Sequence, residues 1–283
     1  MKKRILLPTD FSKNAWNAIN YASELYKTES VDFFLLNAFK LVSYDIESIF
    51  VAKPGDKEYD AALEQSEKDL RKILKMIELK TPNPNHNYFS MSIFDTPIEA
   101  IKEAVELKDI DLVVMGSKGE TDAKSVIYGS STLEAMEKVR NCPVLAIPNM
   151  ASYKEPKEIV FPTSFKTHFK RRELKHLYEI AKITNSAVKI LHINTEKQLT
   201  DLQKKNKDLL EEFLDGIEYS FKWLDNVSVN EGLEEFVRRR GSDIIVFINK
   251  KHTFFDTIFS RPLVKDLGAN SKIPVLVLHD LRN

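Results

Sequence analysis

The segment DLVVMGSKG, residues Asp111–Gly119, is followed after nine residues by GSST, residues Gly129–Thr132. The apolar run in the first segment is typical of a buried strand, and the apolar spacing after Thr132 is typical of a helix. The pattern therefore predicts a strand, a loop with glycines, and a helix whose N-terminus faces that loop. The chain has only eight glycines, so three at this spacing indicate a backbone that a ligand or a neighbour approaches closely.

This predicted loop has the chemistry of an anion site. Free N–H groups at a helix N-terminus attract anions, and the hydroxyls of Ser130, Ser131 and Thr132 add hydrogen-bond donors. It is not a Walker loop, because no Gly-Lys-Ser/Thr closes it, and the chain contains no Gly-x-Gly-x-x-Gly. We interpret it as a phosphate cradle. A tight turn with a purely structural role is the alternative interpretation.

Three segments of the first half recur in the second half in the same order. ILLPTDF (5–11) recurs as IVFPTSF (159–165), DLVVM (111–115) as DIIVF (243–247), and PVLAI (143–147) as PVLVL (274–278). Such self-similarity indicates two copies of one fold. The sequence therefore predicts two domains, residues 1–150 and 157–283, joined through a short polar stretch.

Short apolar runs alternate with helical periods within the first copy. Strands are predicted at 5–9, 31–38, 87–93, 112–115 and 144–147. Ser12 is the predicted N-cap of the first helix, and Thr96 with Glu99 forms a predicted capping box at the third. This alternation predicts an α/β fold with two flavodoxin- or Rossmann-like, five-stranded parallel-sheet sandwiches in tandem. The expected strand order is 3-2-1-4-5, with 2-1-3-4-5 as the alternative.

Ligands bind such sheets beyond the carboxyl ends of the strands, where the strand order reverses. Asp10 follows the first predicted strand, and the glycine loop follows the fourth. If these strands are neighbours, both features flank one crevice. From the residues alone, Asp10 can either accept a hydrogen bond from a ligand or cap the first helix.

Composition excludes several classes of function. Lysine plus arginine and aspartate plus glutamate both number 42, so no overall basic field favours nucleic acid. No apolar run is long enough for a membrane span, and a lone cysteine, Cys142, suits the cytoplasm. The histidines are not clustered, so we expect no metal site. No nucleophile motif or general base is evident, and no catalytic residue is identified.

The quoted segments, together with PTDFS (8–12) and CPVL (142–145), resemble the universal stress protein family. The resemblance extends over nearly the whole chain as a tandem pair. It implies an HUP-type fold and a bound ATP, with Mg²⁺. Asp10 would recognise adenine, the backbone of Ala38 would contact the base, and the ribose would approach Gly116. The residues that would hold the phosphates are Gly119, Gly129, Ser130 and Ser131.

The second copy departs from this signature. The replacements are Ser164 for Asp10, Ile248 for Gly116, Lys251 for Gly119, and Ser260-Arg261 for Gly129-Ser130. A branched side chain would occupy space that the nucleotide needs, so we expect one ATP per chain, in the first half. We also expect the fifth strands of the two halves to face each other. The chain would then be an intrachain pseudo-dimer, which could associate into a higher homo-oligomer.

These features predict a cytoplasmic, ATP-binding stress protein whose nucleotide controls its conformation or its binding to a protein partner that the sequence does not name. Any ATP hydrolysis should be slow, because no general base is evident. The alternative is a non-catalytic scaffold with a structural nucleotide or none. The apolar connection 39–56 could be a lid over the nucleotide or a contact with the other half, and both interpretations stay open.

Overall fold

The computed structural model describes residues 2–40, 53–80, 82–118, 128–194, 198–225, 227–249 and 272–279. Strands and helices alternate along nearly all of this part of the chain. The elements are β1 (Lys3–Pro8), α1 (Lys13–Leu25), β2 (Val31–Phe39), α2 (Lys57–Glu78), β3 (His86–Phe94), α3 (Pro97–Lys108), β4 (Leu112–Gly116), α4 (Ser130–Lys138), β5 (Val144–Ile147), β6 (Glu158–Pro162), α5 (Arg171–Thr184), β7 (Ala187–Asn194), α6 (Asp201–Leu214), β8 (Tyr219–Asp225), α7 (Val229–Arg240), β9 (Ile244–Asn249) and β10 (Val275–His279).

All ten strands form one sheet in the order β3-β2-β1-β4-β5-β10-β9-β6-β7-β8. The predicted order 3-2-1-4-5 is therefore confirmed for β1–β5, and β6–β10 follow the same order. Pairing is parallel within each set of five strands and antiparallel between β5 and β10, where Leu145 lies opposite Leu276. The expected contact between the two fifth strands is present, and it joins the sheets edge to edge.

Helices cover both faces of the sheet, because successive strand side chains point to opposite sides. One core contains Ile5, Leu7 and Phe33 and is covered by α1, α2, α5 and α6. The other contains Leu6 and Val113 and is covered by α3, α4 and α7. The strands read as almost continuous apolar runs because both of their faces are buried, as expected for parallel strands.

The predicted helix starts are confirmed, with one correction. The Ser12 side chain accepts a hydrogen bond from the backbone N–H of Ala15 and caps α1. Thr96 caps α3 by accepting from the N–H of Glu99. The predicted capping box is incomplete, because the N–H of Thr96 donates to the Asp95 carboxylate and the Glu99 carboxylate pairs with Lys102.

Two further expectations concern the connection 39–56 and Cys142. Most of the connection, residues 41–52, lies outside the described residues, so neither interpretation of it is tested. Cys142 is fully buried, and this burial raises the pKa of its thiol. Among the described helices, none combines the length and apolar character needed to cross a membrane.

Two buried polar residues, Asn249 and His279, lie side by side near the junction of β5 and β10. His279 ends β10 opposite Asn249 of β9 and is only 1% exposed. Neither ring nitrogen of His279 has a hydrogen-bond partner among the described residues. Burial, with the nearby Arg140 guanidinium, lowers the pKa of His279 to about 3. The imidazole is therefore neutral in the folded protein near neutral pH.

This histidine should make the fold sensitive to mild acid. Below about pH 6.5 the unfolded chain binds a proton on this imidazole that the folded chain does not, so the free energy of unfolding falls as the pH is lowered. Between pH 7 and pH 5, we expect the free energy of unfolding of His279→Phe to fall by about 2 kcal/mol less than that of wild type. Urea unfolding of both proteins between pH 7 and pH 5 measures the effect. The same change at the exposed His168 is the control, and parallel curves for wild type and His279→Phe would contradict the prediction.

Candidate functional site

The direction of strand order reverses between β1 and β4, which lie side by side in parallel. A cavity of about 270 Å³ opens beyond their carboxyl ends, between the first turns of α1, α3 and α4. The cavity is thus at the position where parallel α/β sheets bind ligands. Five of the predicted site residues line it: Asp10, Ala38, Gly116, Ser130 and Ser131. Gly129 precedes Ser130, and Gly119 lies outside the described residues.

A tight turn after β1 positions Asp10. The N–H of Phe11 donates to the Thr9 hydroxyl at 3.0 Å, and the N–H of Ser12 donates to Asp10 Oδ1 at 3.1 Å. Phe11 has a φ of 65°, in the left-handed region. Asp10 is exposed at the mouth of the cavity. The cap of α1 is Ser12 and not Asp10, and Asp10 Oδ1 supports the turn that leads into the helix.

Gly116 ends β4 where the first turn of α1 packs most closely. A Cβ at this position would lie 2.7 Å from Asn14 Nδ2 and 2.9 Å from Asn14 Cγ. The same Nδ2 donates to the carbonyl of Lys118 at 2.7 Å. Glycine is required here by this close contact, and positive φ is not the reason, because the described glycines with positive φ lie elsewhere. Asn14 therefore connects α1 to the start of the glycine loop.

The N-terminus of α4 forms the wall of the cavity opposite the β1 turn. Gly129 is the N-cap with φ −69° and ψ 162°, an extended conformation open to any residue, and its N–H donates to Ser117 O at 2.8 Å. The Thr132 hydroxyl donates to Gly116 O at 2.9 Å and is buried. Two groups of the predicted cradle, the Gly129 amide and the Thr132 hydroxyl, are thus used to hold the loop against β4.

The remaining donors at this helix start belong to Ser130 and Ser131. Ser130 is exposed, and Ser131 is half-buried. Among the described residues, neither side chain has a protein partner, and the first N–H groups of a helix have no acceptor within the helix. Lys118 also lines the cavity and adds a cationic side chain. This wall can therefore bind an anion.

Sequence reasoning missed Asn37, which lines the cavity beside Ala38. Its Nδ2 donates to Thr9 O at 2.8 Å, and its Oδ1 accepts from the Ser66 hydroxyl at 2.7 Å. It therefore fixes the β1 turn against β2 and α2. The available signal was a single amide in the apolar run FFLLNAF, residues 33–39.

The corresponding place in the second half is built differently. The strand registers place Ile248 at the position in the second half that corresponds to Gly116, and Ile193 at the position that corresponds to Ala38. Phe165, His192 and Trp223 form an aromatic cluster at the strand ends, with centroids 5.0–6.0 Å apart. The cavity there is about 190 Å³. The counterparts of Gly119, Gly129 and Ser130, residues Lys251, Ser260 and Arg261, lie outside the described residues.

Comparisons with known proteins agree with this architecture. The model of the universal stress protein family matches residues 1–148. Two universal stress proteins of Methanocaldococcus jannaschii are similar to this chain, one 28% identical over 155 residues (52% of this chain, 95% of the relative) and one 26% identical over 145 residues (51% and 81%).

Solved structures extend the similarity to both halves. A universal stress protein of Archaeoglobus fulgidus superposes with a TM-score of 0.69 at 18% identity and covers 98% of this chain and 96% of its own. A second structure, from Pseudomonas aeruginosa, gives a TM-score of 0.58 at 12% identity over 98% and 93%. At these identities the two matches establish the fold and nothing finer.

The contact between Gly116 and Asn14 can be tested by a double-mutant cycle. Gly116→Ala places a methyl group against Asn14 and should lower the free energy of unfolding by about 1–3 kcal/mol. In an Asn14→Ala background the same change should cost less, since the side chain that it meets is gone. Urea unfolding of wild type, both single variants and the double variant gives the coupling. Additive losses would show that the glycine is not required by Asn14.

Proposed function

Because this chain belongs to the universal stress protein family, we propose that its first half binds ATP in the cavity at the ends of β1 and β4. The bound nucleotide acts as a switch in a stress response and changes the surface offered to a protein partner. The observation that carries the proposal is the start of α4, where the hydroxyls and N–H groups of Ser130 and Ser131 face a cavity at the reversal point of the sheet.

The phosphates bind at this start of α4. The positive end of the helix dipole stabilises a nearby anion by about 0.3–1 kcal/mol, and by more where the site is partly buried. Gly129 allows the chain to pass close to the phosphates, and Gly119 is proposed to do the same. Lys118 supplies further positive charge. Mg²⁺ would accompany the triphosphate and offset part of its negative charge.

The adenine and ribose bind at the β1 side of the cavity. The carbonyl oxygen of Leu36 accepts from Thr9 N, so it points toward β1. Backbone groups two residues apart in a strand point to the same side, so the N–H and carbonyl of Ala38 also point to that side, beyond the end of β1. They are available to the edge of a base. The exposed carboxylate of Asp10 accepts from an amino or hydroxyl group, which a phosphate does not offer. Gly116 lines the cavity between these groups and α4, where the ribose is proposed to lie.

The second half binds no nucleotide in this proposal. Ile248 and Ile193 put branched side chains where the first half has glycine and alanine, and Ser164 lacks the Asp10 carboxylate. We divide the chain at residues 1–150 and 157–283, as two copies of one unit. The second copy then serves as the built-in partner of the first, through β5 and β10, and each chain binds one ATP.

We expect at most slow hydrolysis, because the described residues that line the cavity at the start of α4 include no carboxylate or imidazole. We place the protein in the cytoplasm, where ATP and a protein partner are available. The competing function is a scaffold without a working nucleotide. Two observations favour it: the Gly129 amide and the Thr132 hydroxyl, both part of the signature, already have protein acceptors.

Binding and its site can be tested together. ATP with Mg²⁺ at about 100 times its dissociation constant should add about 2.7 kcal/mol to the stability of nucleotide-free protein, seen as a rise of several degrees in Tm. Ser130→Asp should abolish this rise, because its carboxylate repels the phosphates. It should not weaken the fold, since acidic residues stabilise helix N-termini. Calorimetry should give one nucleotide per chain.

Three comparisons make this test decisive. Ser152→Asp, the same change at another exposed serine, should bind ATP as wild type does. Asp10→Ala should reduce the preference for ATP over GTP while keeping affinity for the triphosphate. No stabilisation of nucleotide-free wild type by ATP would favour the scaffold. Normal ATP affinity in Ser130→Asp would exclude the start of α4 from the site.

A further inference from the structure

A larger cavity runs along α5, and we call it the α5 groove. Its volume is about 1,020 Å³, at the upper end of the range of about 300–1,000 Å³ for small-molecule sites. One wall is α5 from Arg171 to Ile183, and the other includes Lys3 and Tyr26 of the first half, with Phe213 of α6. The groove shares no lining residue with the cavity at β1 and β4.

The lining of the groove is cationic although the chain as a whole is neutral. Five basic and two acidic side chains line it, an excess of three positive charges, while the whole sequence has a formal net charge of zero. Lys3 is neutralised by Glu179 at 2.6 Å, and Lys175 lies near the same carboxylate. The charges of Lys3 and Lys175 are therefore offset in part by Glu179, and the other basic residues of the groove are Arg171, Arg172 and Lys182.

Two of these basic residues, Arg171 and Lys182, lie on one face of α5. They are eleven residues apart, three helical turns or about 16 Å. Arg171 packs over the ring of Phe213 at 5.1 Å, and Lys182 lies 5.9 Å from the ring of Tyr178. Within the described part of the chain, neither has a carboxylate partner. Arg171 is also the first residue of α5, where the positive end of the helix dipole is offset by the buried Glu173 carboxylate, which accepts from the Lys170 N–H.

The lining between these two cations combines apolar side chains with the ion pairs of Lys3 and Lys175 with Glu179. Leu174 is buried beside Arg171, and Ile183 lies near the far end. Tyr26 forms part of the lining, is fully buried, and has a hydroxyl without a hydrogen-bond partner among the described residues. An unpaired buried hydroxyl is unfavourable. An apolar body and an acidic group both fit this surface.

We propose that the α5 groove binds an amphipathic anion, a small molecule with an apolar ring or chain and one acidic head. The head lies at Arg171, where the guanidinium and the helix N-terminus are together, and the body lies along α5 toward Ile183. Both cations are exposed, and their contacts with aromatic rings hold the charges at the edge of the groove. The site is independent of the nucleotide cavity.

Two fluorescent probes of similar shape test the charge requirement. Anilinonaphthalene sulfonate carries fused rings and one sulfonate, and phenylnaphthylamine carries the same rings without charge. The sulfonate probe should bind one per chain and at least ~10-fold more tightly than the neutral probe. Arg171→Glu with Lys182→Glu should weaken the sulfonate probe by at least ~10-fold and the neutral probe by less than ~2-fold. Arg171→Gln alone should give a smaller loss in the same direction.

The control is Arg238→Glu with Arg239→Glu, an equal change of charge at exposed positions on α7. Circular dichroism and melting curves establish that each variant is folded, and the single Arg171→Gln variant decides the matter if the double one is not. Equal affinity for the two probes, an equal loss in the α7 control, or displacement of the sulfonate probe by ATP would each overturn the proposal. Failure of the sulfonate probe to bind would also overturn the proposal, including the case in which a second copy of the chain covers the groove.

Discussion

The antiparallel pairing of β5 with β10 is the interaction on which the rest of the structure depends. All four residues of β5 are fully buried, and they would form an apolar edge without β10. Such an edge promotes aggregation unless another strand covers it. The register that sets Leu145 opposite Leu276 makes one sheet of ten strands from two sets of five. Each set of five strands therefore covers the apolar edge of the other set.

This pairing also reaches the candidate site through α4. Asn249 of β9 donates from Nδ2 to Met136 O near the C-terminal end of α4. At the other end, the Gly129 amide and the Thr132 hydroxyl attach the helix to the strand end below it. The helix that faces the cavity is thus held by both halves of the chain. A wall fixed in advance loses little entropy when an anion binds, which favours affinity.

Local signals predicted the strands and the helix starts, because apolar runs and Ser or Thr caps act within a few residues of sequence. The contact of Gly116 with Asn14 was out of reach, since it joins residues that meet only when α1 packs on β4. The same limit applies to Thr132, whose hydroxyl looks equivalent to those of Ser130 and Ser131 in the sequence but is turned into the core. Sequence placed the predicted residues at the strand ends where the cavity lies, and it overestimated the number of their groups left without a protein partner.

The two halves separate the requirements of the fold from those of a ligand. The turn after β1 recurs after β6. Phe11 and Phe165 both have positive φ, and their N–H groups donate to the hydroxyls of Thr9 and Thr163. This turn is therefore needed to lead a parallel strand into its helix, whatever is bound. At the position of Asp10, the Ser164 hydroxyl accepts from the Lys166 N–H as Asp10 Oδ1 accepts from the Ser12 N–H, so the turn needs a side-chain oxygen there but not a carboxylate. The turn therefore does not require the negative charge of Asp10, and this difference between the halves is consistent with the ligand role proposed for Asp10.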